Sequence, residues 1–451
     1  MRLTFLGGTS TVTGSKYLLE HEGRRLLVDA GLYQGLKQLR LRNWDSFPMA
    51  PSEIDAIVLT HAHLDHSGFI PRLVQLGFRG RVYCTSATRD LCALILPDSG
   101  RLLEEEADFA NRHGYSRHHP ALPLYTEHDG QAALHRFTSR EFDEGFEPIP
   151  GVRVRLRRAG HLLGAASVRV EWEGRSILFS GDLGRANDVL MVPPALPDAA
   201  DTVVIESTYG DRAHAAVDPL TELAAVINRT AARGGVIVIP SFAVGRAQAL
   251  MYCLHLLRQQ HRIPDLPAFL NSPMAADATD IYREHRAEHR LTPEQCEAMC
   301  TAAHIVNSVE ESKQLNDMRY PAVIISASGM ASGGRVLHHL KAFAPDQRNS
   351  ILFAGFQAAG TRGAAMVAGA RSVKIHGQQV PIRAEVAQLD SLSAHADRDE
   401  LLAWIGALPS APQRVFVTHG EPVAADALRQ AIGERHRWPC SVPEYRDAVE
   451  L

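Results

Sequence analysis

Three histidines and an aspartate lie within a span of six residues, directly after a continuous apolar run. The run is Ile54–Leu59, and the motif is H-x-H-x-D-H, at His61, His63, Asp65 and His66. An uninterrupted apolar run of this length is typical of a strand that is buried on both faces. Imidazole and carboxylate groups are ligands that suit zinc. The spacing disfavours the alternative of a polar loop of exposed histidines, and it favours two ions that share the loop.

Further polar residues occupy the same kind of place, at the ends of other predicted strands. The carboxyl ends of strands are where α/β sheets gather their functional sites. Any one of these residues could instead be a helix cap or a solvated strand end, but the set as a whole predicts a site. The residues are Asp29 after Arg25–Val28, His161 after Val152–Leu156, Asp182 after Ile177–Phe179, Glu206 after Val203–Ile205, and His419 after Val415–Thr418.

The pattern of predicted elements changes twice along the chain. Hairpins and buried strands near the N-terminus indicate a mixed α/β sheet, whereas strands and helices alternate from about residue 207, as in a parallel α/β domain. The first pattern returns near residue 382, with a strand over 382–387. The simplest interpretation is one α/β domain inserted into another, with the outer domain at 1–206 and 382–451 and the insert at 207–381.

Composition excludes several classes of protein. The chain has 451 residues, of which 45% are hydrophobic and 22% charged, as in ordinary globular proteins. No apolar run approaches the roughly 18–20 residues of a membrane span, and the N-terminus does not resemble a signal peptide. Six cysteines without framework spacing predict a cytoplasmic protein. A net charge of −4 excludes a uniformly basic surface for nucleic acid but allows a local basic cleft.

The ordered set of polar residues resembles a known family. Asp29, the H-x-H-x-D-H motif, His161 and Asp182 are similar, in this order, to the metal-binding motifs of the metallo-β-lactamase superfamily. Glu206 in IESTYGDR, His395 in SLSAHAD and His419 in VFVTHGE resemble the three additional motifs of its β-CASP branch. The resemblance covers essentially the whole chain. It implies an αββα sandwich that carries an inserted parallel α/β β-CASP domain.

The resemblance also implies a role for each of these residues. Two zinc ions would be bound per chain, with Asp182 bridging them and Asp29 orienting the ligands. Glu206 would orient His395, and His395 would face the scissile phosphate. The implied ligands are His61, His63 and His161 for one ion, and Asp65, His66 and His419 for the other.

Two loops of the insert are candidates for phosphate binding. Predicted strands run into Ser- and Gly-rich helix starts at 241–246 and 328–335, where free backbone N–H groups can hold an anion. We expect Arg246, Arg335 and Ser328 to contact substrate there, together with Ser393 of the SLSAHAD motif. Tight strand–helix packing is the alternative for both loops. Alternating arginines at 153–158 could lie near His161 or simply form a solvated strand face.

The resemblance to the β-CASP branch, with His419 at its last motif, implies a zinc-dependent ribonuclease that hydrolyses single-stranded RNA in a cleft between the two domains. The SLSAHAD motif and the short C-terminus resemble RNA-processing endonucleases, so endonucleolytic cleavage is expected. A small-molecule hydrolase of the same superfamily is one alternative, although the long insert would serve no purpose there. A non-catalytic scaffold of an RNA-processing complex is another, although every ligand position is filled. A homodimer is left open, and no membrane association is expected.

Overall fold

The computed structural model describes residues 1–114, 116, 118–215 and 217–451, which form two compact units. Unit 1 comprises Met1–Asn187, Met191–Ala213 and His395–Leu451. Unit 2 comprises Asp188–Leu190 and His214–Ala394, so in sequence it interrupts unit 1.

The strands are spread over the whole chain. In chain order they are β1 (Arg2–Phe5), β2 (Tyr17–His21), β3 (Arg24–Val28), β4 (Ala56–Val58), β5 (Arg81–Cys84), β6 (Phe137–Ser139), β7 (Gly145–Ile149), β8 (Val152–Arg158), β9 (Ala166–Trp172), β10 (Arg175–Phe179), β11 (Thr202–Ile205), β12 (Val236–Pro240), β13 (Ala268–Asn271), β14 (His304–Ile305), β15 (Ala322–Ser326), β16 (Ser350–Phe353), β17 (Ser372–Ile375), β18 (Gln378–Pro381), β19 (Glu385–Gln388), β20 (Arg414–Val417), β21 (Cys440–Ser441) and β22 (Ala448–Glu450).

The helices lie between these strands, and none in the described part of the chain is both long and apolar enough to cross a bilayer. They are α1 (Lys37–Arg42), α2 (Leu64–Ser67), α3 (Ile70–Gln75), α4 (Ser86–His113), α5 (Glu127–Leu134), α6 (Pro219–Ala232), α7 (Arg246–Gln259), α8 (Pro273–Glu284), α9 (Pro293–Cys300), α10 (Val309–Leu315), α11 (Val336–Phe343), α12 (Arg362–Val367), α13 (Arg398–Gly406) and α14 (Pro422–His436).

Unit 1 is built on two seven-stranded sheets. Their strand orders are β22-β1-β2-β3-β4-β5-β6 and β21-β20-β11-β10-β9-β8-β7. Alternate residues of both sheets form one hydrophobic core, in which Phe5 and Val28 of the first sheet meet Val154 and Phe179 of the second. The intervening residues, such as Ile57 of β4, are buried as well, so the strands near the middle of the sheet are covered on both faces, as their apolar sequences predicted.

Unit 2 contains a six-stranded sheet with the order β14-β13-β15-β12-β16-β19 and a separate hairpin, β17-β18. Every pairing in the six-stranded sheet is parallel. Helices follow its strands in sequence, as the alternating pattern predicted. The predicted fold class, a mixed α/β sandwich with an inserted parallel α/β domain, is confirmed.

One predicted strand belongs to a different sheet from the one expected. The strand expected over 382–387 was assigned to the returning outer domain, but β19 occupies Glu385–Gln388 and pairs in parallel with β16 of unit 2. Its Glu385 also accepts hydrogen bonds from Arg229 and Arg233 of the same unit. Because β19 contributes only four residues, all half-buried, its sequence carries no strong signal for either sheet. The exact limits of the domains stay predictions.

Candidate metal centre

One edge of the unit 1 sandwich gathers the polar residues that follow its strands. Asp29 follows β3, and the H-x-H-x-D-H motif follows β4 and runs into the short helix α2. His161, Asp182, Glu206 and His419 follow β8, β10, β11 and β20, all in the second sheet. The structure therefore brings together side chains that are widely separated in sequence.

Four ligand groups form a first cluster: His61, His63, His161 and Asp182. The Nδ1 atom of His63 lies 3.2 Å from Nε2 of His61 and 3.1 Å from Nε2 of His161. The Oδ2 atom of Asp182 lies 3.4 Å from Nε2 of His61 and 3.7 Å from Nε2 of His161.

A second cluster lies on the other side of the Asp182 carboxylate and contains Asp65, His66 and His419. The Nε2 atoms of His66 and His419 are 3.1 Å apart, and Oδ2 of Asp65 lies 3.6 Å from Nε2 of His419. The Oδ1 atom of Asp182 lies 3.2 Å from Nε2 of His66. One carboxylate therefore presents one oxygen to each cluster.

The spacing of these ligand atoms suits zinc. Two ligands about 2.0–2.1 Å from one tetrahedral ion lie about 3.4 Å apart, close to the separations in both clusters. Asp182 is 1% exposed, and neither of its carboxylate oxygens has a hydrogen-bond partner among the described residues. A buried carboxylate in this state requires a positive charge beside it. The residues present therefore fit a pair of divalent cations.

Hydrogen bonds behind the clusters determine which imidazole nitrogens face the centre. Thr60 Oγ1 donates to Asp29 Oδ2 at 2.9 Å, so it can only accept from Nδ1–H of His61 at 3.0 Å. His66 Nδ1 donates to the same Asp29 oxygen at 2.7 Å. In their neutral forms, both histidines thus direct the Nε2 lone pair toward Asp182, where lone pair and carboxylate would repel each other without an intervening cation.

Burial keeps most of these imidazoles in the form that binds metal. It lowers the pKa of His61 to about 3 and that of His63 to about 4. Burial also lowers the pKa of His66, but the charges of Asp182 and Asp29 outweigh it and leave that pKa well above its ordinary value. A metal ion held by the second cluster would therefore have to displace a proton from His66.

Two threonines beside the ligand histidines were not predicted from the sequence. Thr60 orients His61 and Asp29 as described, and the Thr208 hydroxyl lies 3.2 Å from Nδ1 of His419. Both stand within quoted motifs, Thr60 directly before His61 and Thr208 in IESTYGDR. For Thr60 the available signal was its place directly before His61, and for Thr208 its place two residues after Glu206.

His395 stands beside the centre rather than within either ligand cluster. Its Nδ1 atom lies 3.2 Å from Oε1 of Glu206, and its Nε2 atom lies 4.0 Å from Oδ2 of Asp182. Burial lowers the pKa of His395, but the charge and hydrogen bond of Glu206, together with the charges of Asp182 and Asp65, outweigh burial and raise that pKa above its ordinary value. Glu206 Oε1 also accepts a 2.6 Å hydrogen bond from the backbone N–H of Leu183, the neighbour of Asp182.

The predicted substrate contacts all belong to unit 2. Arg335 donates to Asn271 Oδ1 and to the carbonyl oxygens of Val306 and Asn307, at 2.9, 3.1 and 2.7 Å. These bonds to its own unit favour the packing alternative for Arg335. Ser328 Oγ accepts from the N–H of Ser332, in keeping with the same alternative.

The two remaining predicted substrate contacts, Arg246 and Ser393, are buried, with exposures of 8% and 2%. Their role in binding substrate stays a prediction. The alternating arginines at 153–158 form part of a charged strand face, because Arg155 and Arg157 both pair with Asp198.

Three family models match successive parts of the chain. The model of the metallo-β-lactamase superfamily matches residues 11–225, and that of the β-CASP domain matches residues 247–366. A third model, described as a Zn-dependent metallo-hydrolase RNA specificity domain, matches residues 379–443.

Curated relatives match nearly the full length. Ribonuclease TTHA0252 of Thermus thermophilus is 37% identical over 96% of both chains. Transcription termination factor FttA of Methanocaldococcus jannaschii is 30% identical over 100% of this chain and 72% of its own length. A crystal structure of a protein of unknown function from Enterococcus faecalis V583 shares the fold, with a TM-score of 0.53 at 14% identity over 100% of this chain and 99% of the other.

Replacing Thr60 should weaken metal binding without removing a ligand. We expect Thr60→Val to lower zinc affinity roughly 10–100-fold, because the hydrogen bonds that orient His61 and Asp29 are lost. Thr60→Ser keeps the hydroxyl and serves as the matched control. Zinc retention against a chelator would be measured for both, and equal retention would contradict the orienting role.

Proposed function

Because the chain belongs to the β-CASP branch of the metallo-β-lactamase superfamily, a family of metal-dependent hydrolases, we propose that it is a zinc-dependent endoribonuclease. One observation carries the proposal. A carboxylate shared by two ligand clusters lies beside His395, an imidazole that a second carboxylate holds. Centres with two metals and a separate acid–base group suit the in-line displacement that cleaves a phosphodiester bond.

In this proposal each cluster would hold one zinc ion, and Asp182 would offer one carboxylate oxygen to each. When bound, the ions supply Lewis acidity for a phosphoryl oxygen and lower the pKa of the attacking water. The chain itself supplies the geometry, because Asp29 and Thr60 orient His66 and His61, and Thr208 orients His419. These contacts fix the imidazole rings before substrate arrives, so little reorganisation is needed during the reaction.

We assign to His395 the contact with the reacting phosphate of the substrate. Its Nδ1 is engaged by Glu206, so Nε2 is the nitrogen that faces the reacting phosphate. The raised pKa favours the imidazolium form, which can donate a hydrogen bond to a phosphoryl oxygen or a proton to the leaving oxygen. Glu206 acts through His395 and is therefore a positioning residue.

RNA is the proposed substrate for two reasons. The model described as an RNA specificity domain matches residues 379–443, the segment that contributes both His395 and His419. In addition, a relative that is similar over almost the whole chain is named a ribonuclease. Single-stranded RNA suits a centre recessed at a sheet edge, because an unpaired strand bends into such a site more easily than a duplex does.

The purified protein should contain close to two zinc ions per chain. Seven ligand residues are available, and a shared carboxylate lets three further ligands hold each ion. Elemental analysis of active protein would measure the content, and removal of zinc with a chelator should abolish activity. One ion or fewer per active chain would contradict the dinuclear arrangement.

RNA labelled separately at its 5′ and 3′ ends should be cut internally by the zinc-loaded protein. Both labels should then appear in fragments of intermediate length, whereas an exonuclease would release one label as mononucleotides. Duplex DNA, a β-lactam and a thioester are the comparison substrates. Efficient hydrolysis of a small substrate with RNA left intact would favour a small-molecule hydrolase instead.

Two histidine variants should fail in different ways. His419→Ala should lower the occupancy of the second metal position, with part of the activity restored by excess zinc. His395→Ala should keep both metals and bind RNA, but cleave roughly 10²–10⁴-fold more slowly, because acid–base help is lost. Zinc content and single-turnover rates would be measured for both.

Glu206→Gln provides the matched test of positioning. It should reproduce part of the His395→Ala defect, and the double variant should be far less than additive, as expected of residues that act as a unit. Loss of zinc from His395→Ala with zinc retained in His419→Ala would show that the two assignments are reversed.

A further inference from the structure

Lysine is rare in this chain, and its distribution is uneven. Only five of the 47 basic residues are lysines, and three of them lie within 62 residues of unit 2. Lys313 is in the last turn of α10, Lys341 is in the last turn of α11, and Lys374 is in β17. All three are at least partly exposed.

Two histidines connect these lysines into one surface. The rings of His338 on α11 and His376 after β17 are 4.9 Å apart between centroids. Lys341 follows His338 by three residues, so the two share a helix face. Lys374 lies in β17 and His376 in the turn that directly follows it, and both are exposed. We call Lys313, His338, Lys341, Lys374 and His376 the lysine–histidine patch.

The charges that shift the pKa of the two histidines of the patch are all positive. Burial and then the charges of Lys341 and Lys313 lower the pKa of His338. Burial, then His338, Lys341 and Arg362, lower the pKa of His376. Within the described residues, none of the three lysines forms an ion pair with a carboxylate. In a chain of net charge −4, three lysines outside ion pairs concentrate positive charge, which attracts an anionic partner.

We propose that the lysine–histidine patch, which shares no residue with the candidate metal centre, is a binding surface for the sugar–phosphate backbone of single-stranded RNA. The inference rests on the proposed function and extends it, because it gives unit 2 a direct contact with the substrate. Lysine ammonium groups contact phosphates as point charges and do not read the base sequence. The two exposed imidazole rings offer aromatic surfaces on which a base can stack.

An acidic protein segment fits this surface less well. The centres of protein–protein interfaces are depleted in lysine and enriched in large aromatic residues, whereas lysine is one of the two residues that neutralise phosphates in nucleic-acid contacts. The patch combines three lysines with two small aromatic rings. An RNA strand can contact the lysines through its phosphates and the imidazole rings through its bases.

The test replaces Lys313, Lys341 and Lys374 together by glutamine in the full chain. A matched triple variant replaces Arg2, Arg24 and Arg175, exposed first residues of three strands in unit 1, and removes the same charge. Affinity for a fluorescent unstructured RNA would be measured by anisotropy over a range of salt concentrations. Both triple variants would carry the His395→Ala substitution to suppress cleavage, and zinc content and melting temperature would confirm that each is folded.

The lysine variant should bind RNA at least roughly tenfold more weakly at low salt than the His395→Ala parent. Its log–log salt slope should be smaller by about 2, since each phosphate contact on a single strand contributes about 0.7. The arginine variant should change affinity less than about twofold. Equal weakening of RNA binding in both variants, or unchanged RNA affinity in the lysine variant, would overturn the inference. Polyglutamate serves as the probe for an acidic protein segment, and a loss of affinity for polyglutamate alone would not rescue the inference.

The outcome is independent of whether the protein cleaves RNA. If the unsubstituted protein fails to cut RNA but the lysine variant loses RNA affinity, the proposed function fails and the binding surface stands. If the unsubstituted protein cuts RNA and the lysine variant binds as tightly as its parent, only the inference fails.

Discussion

The buried carboxylate of Asp182 is the constraint on which the rest of the site depends. Removing a carboxylate from water costs several kcal/mol unless positive charge and hydrogen bonds compensate. Asp182 has no hydrogen-bond donor among the described residues, yet imidazole nitrogens from both clusters lie within 3.2–3.7 Å of its oxygens. Neutral imidazoles cannot compensate a negative charge by themselves. The arrangement is therefore stable only with cations or protons in the gaps between these atoms, and that requirement makes the edge a candidate metal centre.

Hydrogen bonds and backbone conformations around Asp182 fix the positions of the ligand side chains. Hydrogen bonds to Nδ1 orient three of the ligand histidines. Thr60 orients His61, Asp29 orients His66, and Thr208 orients His419. Asp29 and His419 also adopt left-handed backbone conformations, with φ of 59° and 48°. Such conformations are costly for residues other than glycine and persist where the surrounding contacts fix them. The strained positions lie at strand ends, where the sandwich core holds the preceding residues.

Much of this site could be predicted from the sequence because its residues follow strands with strong local signals. Continuous apolar runs identified the strands before His61 and Asp182, and the motif spacing identified the ligands. Features that depend on distant partners could not be predicted. The pairing of β19 with β16 leaves no local trace, and the sequence cannot tell whether Arg335 faces a phosphate or the carbonyl oxygens of its own unit. The hydroxyl of Thr60 acquires its role only from the position of Asp29.

The two ligand clusters differ in how far along the chain their members lie. The first draws all its residues from the segment between His61 and Asp182, whereas the second pairs His66 with His419, 353 positions later. Synthesis proceeds from the N-terminus, and domains begin to fold as they emerge. All side chains of the first cluster have thus been made before translation reaches unit 2. The second cluster lacks His419 until the ribosome has translated all of unit 2. The two clusters of the site can therefore be completed only at different times during synthesis.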